Sequence, residues 1–295
     1  MGVLYPMSYF LTDLDGTLLR SDASLSDYSV RILTQALNEG LFVSYATARS
    51  YISAHKIVSA VPWRYPVVLY NGAVLFDPAT QRVLDGAWLN PATTDEIIGL
   101  GRAHGLLPLL FALDDEDRER VLHERLVRSG ELQFYASRPN DPRFAEVTRL
   151  SCPETFRTLI VTYIGLWDEL NPLKEEVQRR FGDRIHVHLM KDAYIADHYF
   201  LEFSDRLANK KEGLRKWAAL VNGEPEVVTV FGDNLNDLGM FETAGTRIAV
   251  AGAHPDIAAL STAMAGSNDD DGVTRYLEQW MRSRSGATFR DGGAP

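Results

Sequence analysis

Residues 9–19, YFLTDLDGTLL, decide the fold. An apolar and aromatic run ends in Asp13, Asp15 and Gly16, the pattern of a buried strand that empties into a functional loop. Working outward, Ser26 stands where it caps a helix whose Val30, Leu33 and Leu37 share one face and which Gly40 ends. Residues 41–46, LFVSYA, then read as a second strand. Strand, helix and strand at this spacing require a parallel pair joined by a crossover. A helix near 51–60 and a strand at 67–70 continue the pattern.

After Asn71 and Gly72 the rhythm breaks. Residues 72–89, GAVLFDPATQRVLDGAWL, read as a hairpin turning at 78–81. Helices near 94–104, 116–128 and 172–181 and strands at 107–111, 158–164 and 185–189 follow, an α+β insertion of about 120 residues and so of ordinary domain size. Alternation resumes with an amphipathic helix at 210–221, whose Leu214, Trp217 and Val221 share a face, and a buried strand at 226–231. A helix at 235–244, a strand at 248–250 and a helix at 254–263 complete it. The expected architecture is α/β: a doubly wound, Rossmann-like parallel sheet built from 1–78 and 199–282, an α+β cap domain at 79–198, and a mobile tail at 283–295 without periodicity.

Composition excludes several classes of function. Across 295 residues, 45% hydrophobic and 24% charged is a globular balance, neither disordered nor collagen-like. A formal charge of −10 repels polyanions, so no nucleic acid partner is expected. A small anionic substrate stays compatible, because one metal ion and one or two cations invert the potential within a pocket. Cys152 is the only cysteine, which rules out an intrachain disulfide and a zinc site of several thiolates, and a reducing, cytoplasmic setting is expected. No apolar run reaches the ~18 residues of a membrane span, and the N-terminus lacks a basic stretch followed by an apolar core. Gly2 follows the initiator, but Pro6 occupies the Ser/Thr position of a myristoylation signal, so no membrane partner is expected.

Four pieces carry chemistry: DLDGTLL at 13–19, ATAR at 46–49, Asn209-Lys210, and GDNLND at 232–237. The first, second and fourth each follow a strand read as parallel, and in doubly wound sheets ligands bind at the carboxyl ends of the strands. Asp13 and Asp15 are two apart, so on extended backbone they leave the same face. With Asp233 and Asp237 they gather four carboxylates in one crevice. Two unit charges about 4 Å apart interact by roughly 4 kcal/mol at an effective dielectric of 20, so such crowding demands a bound cation. Hard oxygen donors without His or Cys favour Mg2+. A lone Asp-x-Asp-Gly is ordinarily a turn; Thr47 and Asn236 also suit turns or caps, Lys210 a surface position, and Asp237 a helix N-terminus. Order and context decide against coincidence.

Other features read more plainly. His186 and His188 alternate on one face of a strand and could ligate a metal, but no third ligand stands at a readable spacing. The mixed charges of 114–125 read as a solvated helix face. No G-x-G-x-x-G or Walker-type loop occurs.

DLDGTLL, ATAR, Lys210 and GDNLND resemble the four motifs of the haloacid dehalogenase superfamily, and the layout is similar to the Cof-like hydrolases, which carry an α/β cap after the third strand. The resemblance runs from about Tyr9 to Trp280. It implies a phosphoric monoester hydrolase in which Asp13 attacks phosphorus and Asp15 serves as acid and base, its carbonyl also reaching the metal. It further implies Mg2+ held with Asp233, Thr47 and Lys210 on the phosphoryl oxygens, and Asp237 steadying Lys210 or adding to the metal site. Lys211 rivals Lys210 for that role, but the spacing to Leu214 favours Lys210. Arg49 and Asn236 are candidate substrate contacts, as are Asn71 and Gly72, which match an Asn-Gly turn at the hinge into the cap; each also has a purely structural reading. Ala48 and Ala253 depart from the family's common Gly and Asn, which touches substrate fit more than chemistry. The expected substrate is a small phosphorylated metabolite, most plausibly a sugar phosphate. The alternatives are a phosphotransferase or phosphomutase on the same chemistry, and a noncatalytic regulator that binds phosphorylated metabolites.

Overall fold

The computed structural model of the protein describes residues 7–191 and 195–287. The chain divides into two compact units, Met1–Gly86 with Asn209–Pro295, and Ala87–Ala208.

The discontinuous unit opens with β1 (Tyr9–Thr12), a strand buried at every position. α1 (Asp27–Asn38) follows, capped by the Ser26 hydroxyl, which accepts the Ser29 amide at 3.0 Å. Next come β2 (Phe42–Tyr45), α2 (Tyr51–Val58), β3 (Val67–Leu69), β4 (Val74–Asp77) and β5 (Arg82–Gly86). The inserted unit holds α3 (Pro91–Ala103), β6 (Leu109–Leu113), β7 (Glu119–His123), α4 (Ser129–Ala136) and β8 (Phe144–Glu146). It ends with β9 (Arg157–Leu166), α5 (Trp167–Phe181), β10 (Ile185–Lys191) and β11 (His198–Asp205). The chain returns to the first unit as α6 (Lys210–Leu220), β12 (Val228–Gly232), α7 (Leu238–Thr243), β13 (Thr246–Ala249), α8 (Pro255–Leu260), β14 (Ala263–Met264) and α9 (Gly272–Ala287).

In the first unit the sheet order is β14-β13-β12-β1-β2, parallel throughout, and an Ala46–Val68 bridge carries the same sense on to β3. β1 is central, flanked by β12 and β2, which explains why its sequence is apolar on both faces. Leu11, Val230, Trp217, Leu214 and Phe241 form the core on one side. In the inserted unit six strands run β10-β11-β9-β6-β7-β8, antiparallel except for the β7–β8 pair. Leu110, Val161, Tyr163, Leu201 and Phe203 bury against Ile97, Leu170 and Val177 of α3 and α5. Among the described residues no helix is long and apolar enough to cross a membrane.

The unit boundaries lie at 86/87 and 208/209, where 78/79 and 198/199 were expected. The hairpin of β4 and β5 stays with the discontinuous unit because β4 pairs with β3, and Lys216 of α6 donates to Asp85 at 2.9 Å and to the Gly86 carbonyl at 2.6 Å. At the far side, β11 is woven between β9 and β10. Residues 116–128 are not a helix: β6 and β7 form a hairpin, and the Asp114 carboxylate accepts from the Glu116 and Arg118 amides and from the Arg118 and Arg120 guanidinium groups. Acidic and basic residues spaced by four serve this turn as well as they serve a helix. The expected tail at 283–295 begins inside α9, which runs to Ala287; its remainder, and the Gly2 and Pro6 positions, lie outside the described residues.

Candidate active site

Three of the four motif loops leave the carboxyl ends of adjacent parallel strands, and the N-terminus of α6 supplies the fourth piece. Asp13 follows β1, and its amide is fixed by the Phe231 carbonyl of β12 at 3.0 Å. Beyond it the chain turns sharply, with Gly16 at φ +76°; a side chain there would put its first carbon 2.6 Å from an Asp233 carboxylate oxygen, so only glycine fits. Asn209 caps α6 by accepting the Glu212 amide at 3.0 Å, which places Lys210 at the first helical position.

The Lys210 ammonium is buried completely and donates to Asp13 Oδ1 at 2.5 Å and to Asp237 Oδ1 at 2.7 Å. Lys211 instead pairs with Glu242 at 3.2 Å, away from these groups. One oxygen from each of Asp13, Asp233 and Asp237 lies within 4.8 Å of the others. Burial drives Asp13 well above the usual carboxylate range; Lys210 pulls it back, and the charges of Asp237 and Asp233 push it up again. Asp233 is raised as well, by burial first and by Asp237, against the hydrogen bond from Thr17. Lys210 is held above its ordinary value because the two carboxylates outweigh the burial that opposes its charge.

With all three carboxyls ionised against one ammonium the buried cluster carries a net charge of −2, which one divalent cation neutralises and which, without one, the raised carboxyls relieve by holding protons. The donors are hard oxygens, so the cluster suits Mg2+. Asp237 is the least available donor, since its second oxygen already accepts the Asp233 and Asn234 amides at 3.0 and 3.2 Å. Asp13 and Asp233 remain the open side of the cluster. The Asp15 side chain stands apart from it, half-exposed and gripped by Arg49 through two hydrogen bonds of 2.7 and 2.5 Å.

Thr47 is buried completely at the end of β2 and accepts the Arg49 amide at 3.1 Å; its hydroxyl proton has no acceptor among the described residues. Asn71 takes φ +54°, donates its amide to the Thr47 carbonyl at 2.9 Å and accepts from the Asn236 side chain at 3.3 Å. Gly72 backs onto α6: at φ +104° a side chain would put its first carbon 2.1 Å from the Asn209 carbonyl oxygen. Asn71 and Gly72 thus brace Thr47 and Lys210. Thr17 is the residue that sequence reasoning passed over; it donates to Asp233 Oδ1 at 2.8 Å across 216 positions of chain, and its only signal was membership of DLDGTLL.

Known proteins resemble this chain in sequence and in fold. Pyridoxal phosphate phosphatase YbhA of Escherichia coli (strain K12) is 24% identical over 265 residues, spanning 90% of this chain and 95% of that protein. The Bacillus subtilis (strain 168) 5-amino-6-(5-phospho-D-ribitylamino)uracil phosphatase YitU is 24% identical over 283 residues, spanning 91% and 96%. A crystal structure from Thermotoga maritima superposes with a TM-score of 0.75 at 26% identity, covering 93% of this chain and 97% of that one. The family model of the haloacid dehalogenase-like hydrolases matches residues 10–277. With that match, which runs over most of the chain and spans the four motif pieces, the chain belongs to the haloacid dehalogenase-like hydrolase family.

Proposed function

We propose that the protein is a Mg2+-dependent phosphatase that hydrolyses a small phosphorylated metabolite through an aspartyl-phosphate on Asp13. The observation that carries this reading is the buried Asp13 carboxylate, bonded to Lys210 at 2.5 Å and crowded by Asp233 and Asp237, with Asp15 two residues on and accessible. Asp13 and Asp233 would hold the ion, with the Asp15 carbonyl as the third donor that the family resemblance implies. When bound, Mg2+ supplies Lewis-acid charge that offsets the repulsion between an anionic nucleophile and an anionic phosphate.

Asp13 attacks phosphorus and the ester P–O bond breaks, while Asp15 gives its proton to the departing alkoxide. Asp15 then takes a proton from water as that water attacks, and the bond from phosphorus to the Asp13 oxygen breaks, releasing phosphate. Lys210 and the free hydroxyl proton of Thr47 neutralise charge on the phosphoryl oxygens, and Asp237 orients Lys210. Arg49 restrains Asp15 until substrate competes for its guanidinium. The names of the relatives speak for metabolite monoesters as the substrate class, and a sugar phosphate is the first compound type to try. Buried Cys152 accords with a reducing compartment such as the cytoplasm.

The test is phosphate release from a panel of phosphorylated metabolites. Turnover should vanish in EDTA and return with Mg2+, and Asp13→Asn should abolish it while far-UV circular dichroism stays native. Full turnover by Asp13→Asn would reject the nucleophile, and EDTA-resistant turnover would reject the metal. Phosphate release that falls as free sugar is added, with the phosphoryl group recovered on that sugar, would replace hydrolysis by transfer.

A further inference from the structure

The strand pairing supplies what the His-x-His spacing lacked. His188 of β10 lies directly opposite Glu202 of β11, and Glu202 lies opposite Thr162 of β9. The alternate residues Val187, Leu189, Leu201, Phe203 and Val161 point into the apolar core, so His186, His188, Glu202 and Thr162 share the other face of the sheet. Neither imidazole has a hydrogen-bond or ion-pair partner among the described residues; their ring centroids lie 6.3 Å apart with the planes tilted by 52°. Glu202 is half-buried and forms no ion pair among them. Beside it Thr162 is buried to 2% exposure, its hydroxyl next to the Glu202 carboxyl. Two imidazoles, a carboxyl and a buried hydroxyl thus gather on one face of the sheet.

We propose that His186, His188 and Glu202 bind a divalent transition-metal ion of the zinc class. Two imidazoles and one carboxylate select Zn2+, Co2+ or Ni2+ over Mg2+, and three protein ligands leave a coordination position open. Alternate residues on a strand lie about 7 Å apart and cross-strand partners about 5 Å apart, so one ion reaches all three side chains. Among the described residues only Asp13, Asp233 and Asp237 already hold their donor atoms within 4.8 Å; here the side chains would have to turn about χ1 and χ2 to converge on one ion. The protonation states accord. Although both imidazoles are exposed at the surface of the sheet, partial desolvation holds them below their ordinary value, towards the neutral form that ligates metal, and burial lifts the Glu202 carboxyl to about 7, against the pull of the neighbouring Thr162 hydroxyl. A bound cation would favour the ionised carboxylate, and the Thr162 hydroxyl would then satisfy its free oxygen, as outer partners of metal-bound carboxylates do.

The test uses the full chain, stripped with EDTA and dialysed into excess Mg2+ so that hard-cation sites are taken. Titration with Co2+, read by visible absorption, and with Zn2+, read by calorimetry, should show one equivalent bound in the wild type and in Asp233→Asn alike. That equivalent should be lost in the double variant His186→Ala/His188→Ala, whose substitutions are exposed and should leave the melting curve unchanged. In Thr162→Val binding should weaken about tenfold or more. No Zn2+ equivalent in the wild type, an equivalent retained by the double variant, or one lost in Asp233→Asn would each overturn the site.

Discussion

The Lys210 ammonium, sealed between Asp13 and Asp237, ties the chemistry of this protein to its stability. Buried charge is costly unless paired, and removing one partner of a buried ion pair typically costs about 3–5 kcal/mol because the other is left uncompensated. Lys210→Met keeps an unbranched side chain one atom shorter and removes the charge. Its urea unfolding free energy, measured in EDTA, should fall by about 3 kcal/mol or more. A loss under about 1 kcal/mol would mean that the carboxylates are neutral and that the pair is not the anchor described. Gly72 makes a second residue-scale case. Gly72→Ala must accept both a φ of +104° and a carbon 2.1 Å from the Asn209 carbonyl oxygen, the group that accepts the Gly213 amide in the first turn of α6. The variant should lose about 2 kcal/mol or more and, because α6 carries Lys210, should lose turnover as well; stability and phosphate release measured on one preparation check both.

At the scale of elements, the β6–β7 hairpin turns on Asp114, which is 2% exposed. Burial alone would raise its carboxyl, but hydrogen bonds from Arg118, Arg120 and Glu116 outweigh it and lower it from 3.8 to about 2. A carboxyl depressed by folding contributes stability that is complete above its unfolded value and is lost as pH falls through the folded one. The shift corresponds to about 2 kcal/mol. Asp114→Asn should therefore unfold at lower urea than the wild type at pH 6, and the gap should shrink as pH falls from about 4 toward 2; a gap that is constant with pH would assign the effect to packing. This hairpin also marks what the sequence withheld. β1, β2 and β12 were legible because strands buried on both faces are continuous apolar runs, and the motifs follow them directly. The 114–125 run was not, because strand formation there depends on β6 pairing with β9, some 50 residues away, and no local period records that. The same holds at the site: Asp13, Lys210 and Asp233 stood out by type and order, whereas the Thr17–Asp233 bond exists only once distant segments meet.

For the whole molecule, the insertion raises the question of how one chain folds two cores when one of them is interrupted. The apolar clusters of the inserted unit draw all their members from within 87–208: α3 and α5 cover one face of the six-stranded sheet, and Phe134 of α4 packs with Leu109, Val121 and Ile164 on the other. Its cap residues are local too, with Asn90 accepting the Thr93 amide at 2.8 Å to start α3. A continuous segment with its own core and its own caps meets the physical definition of an autonomous domain. The fragment 87–208, expressed alone, should show native near-ultraviolet circular dichroism and one cooperative urea transition within the usual 5–15 kcal/mol for a domain. Asp114→Asn should destabilise it as much as it destabilises the intact chain, since every donor to that carboxylate lies inside the fragment. A fragment with strand-rich far-ultraviolet dichroism but no near-ultraviolet signal would show that its packing depends on the segments at 1–86 and 209–295, and folding would then have to begin in the interrupted unit.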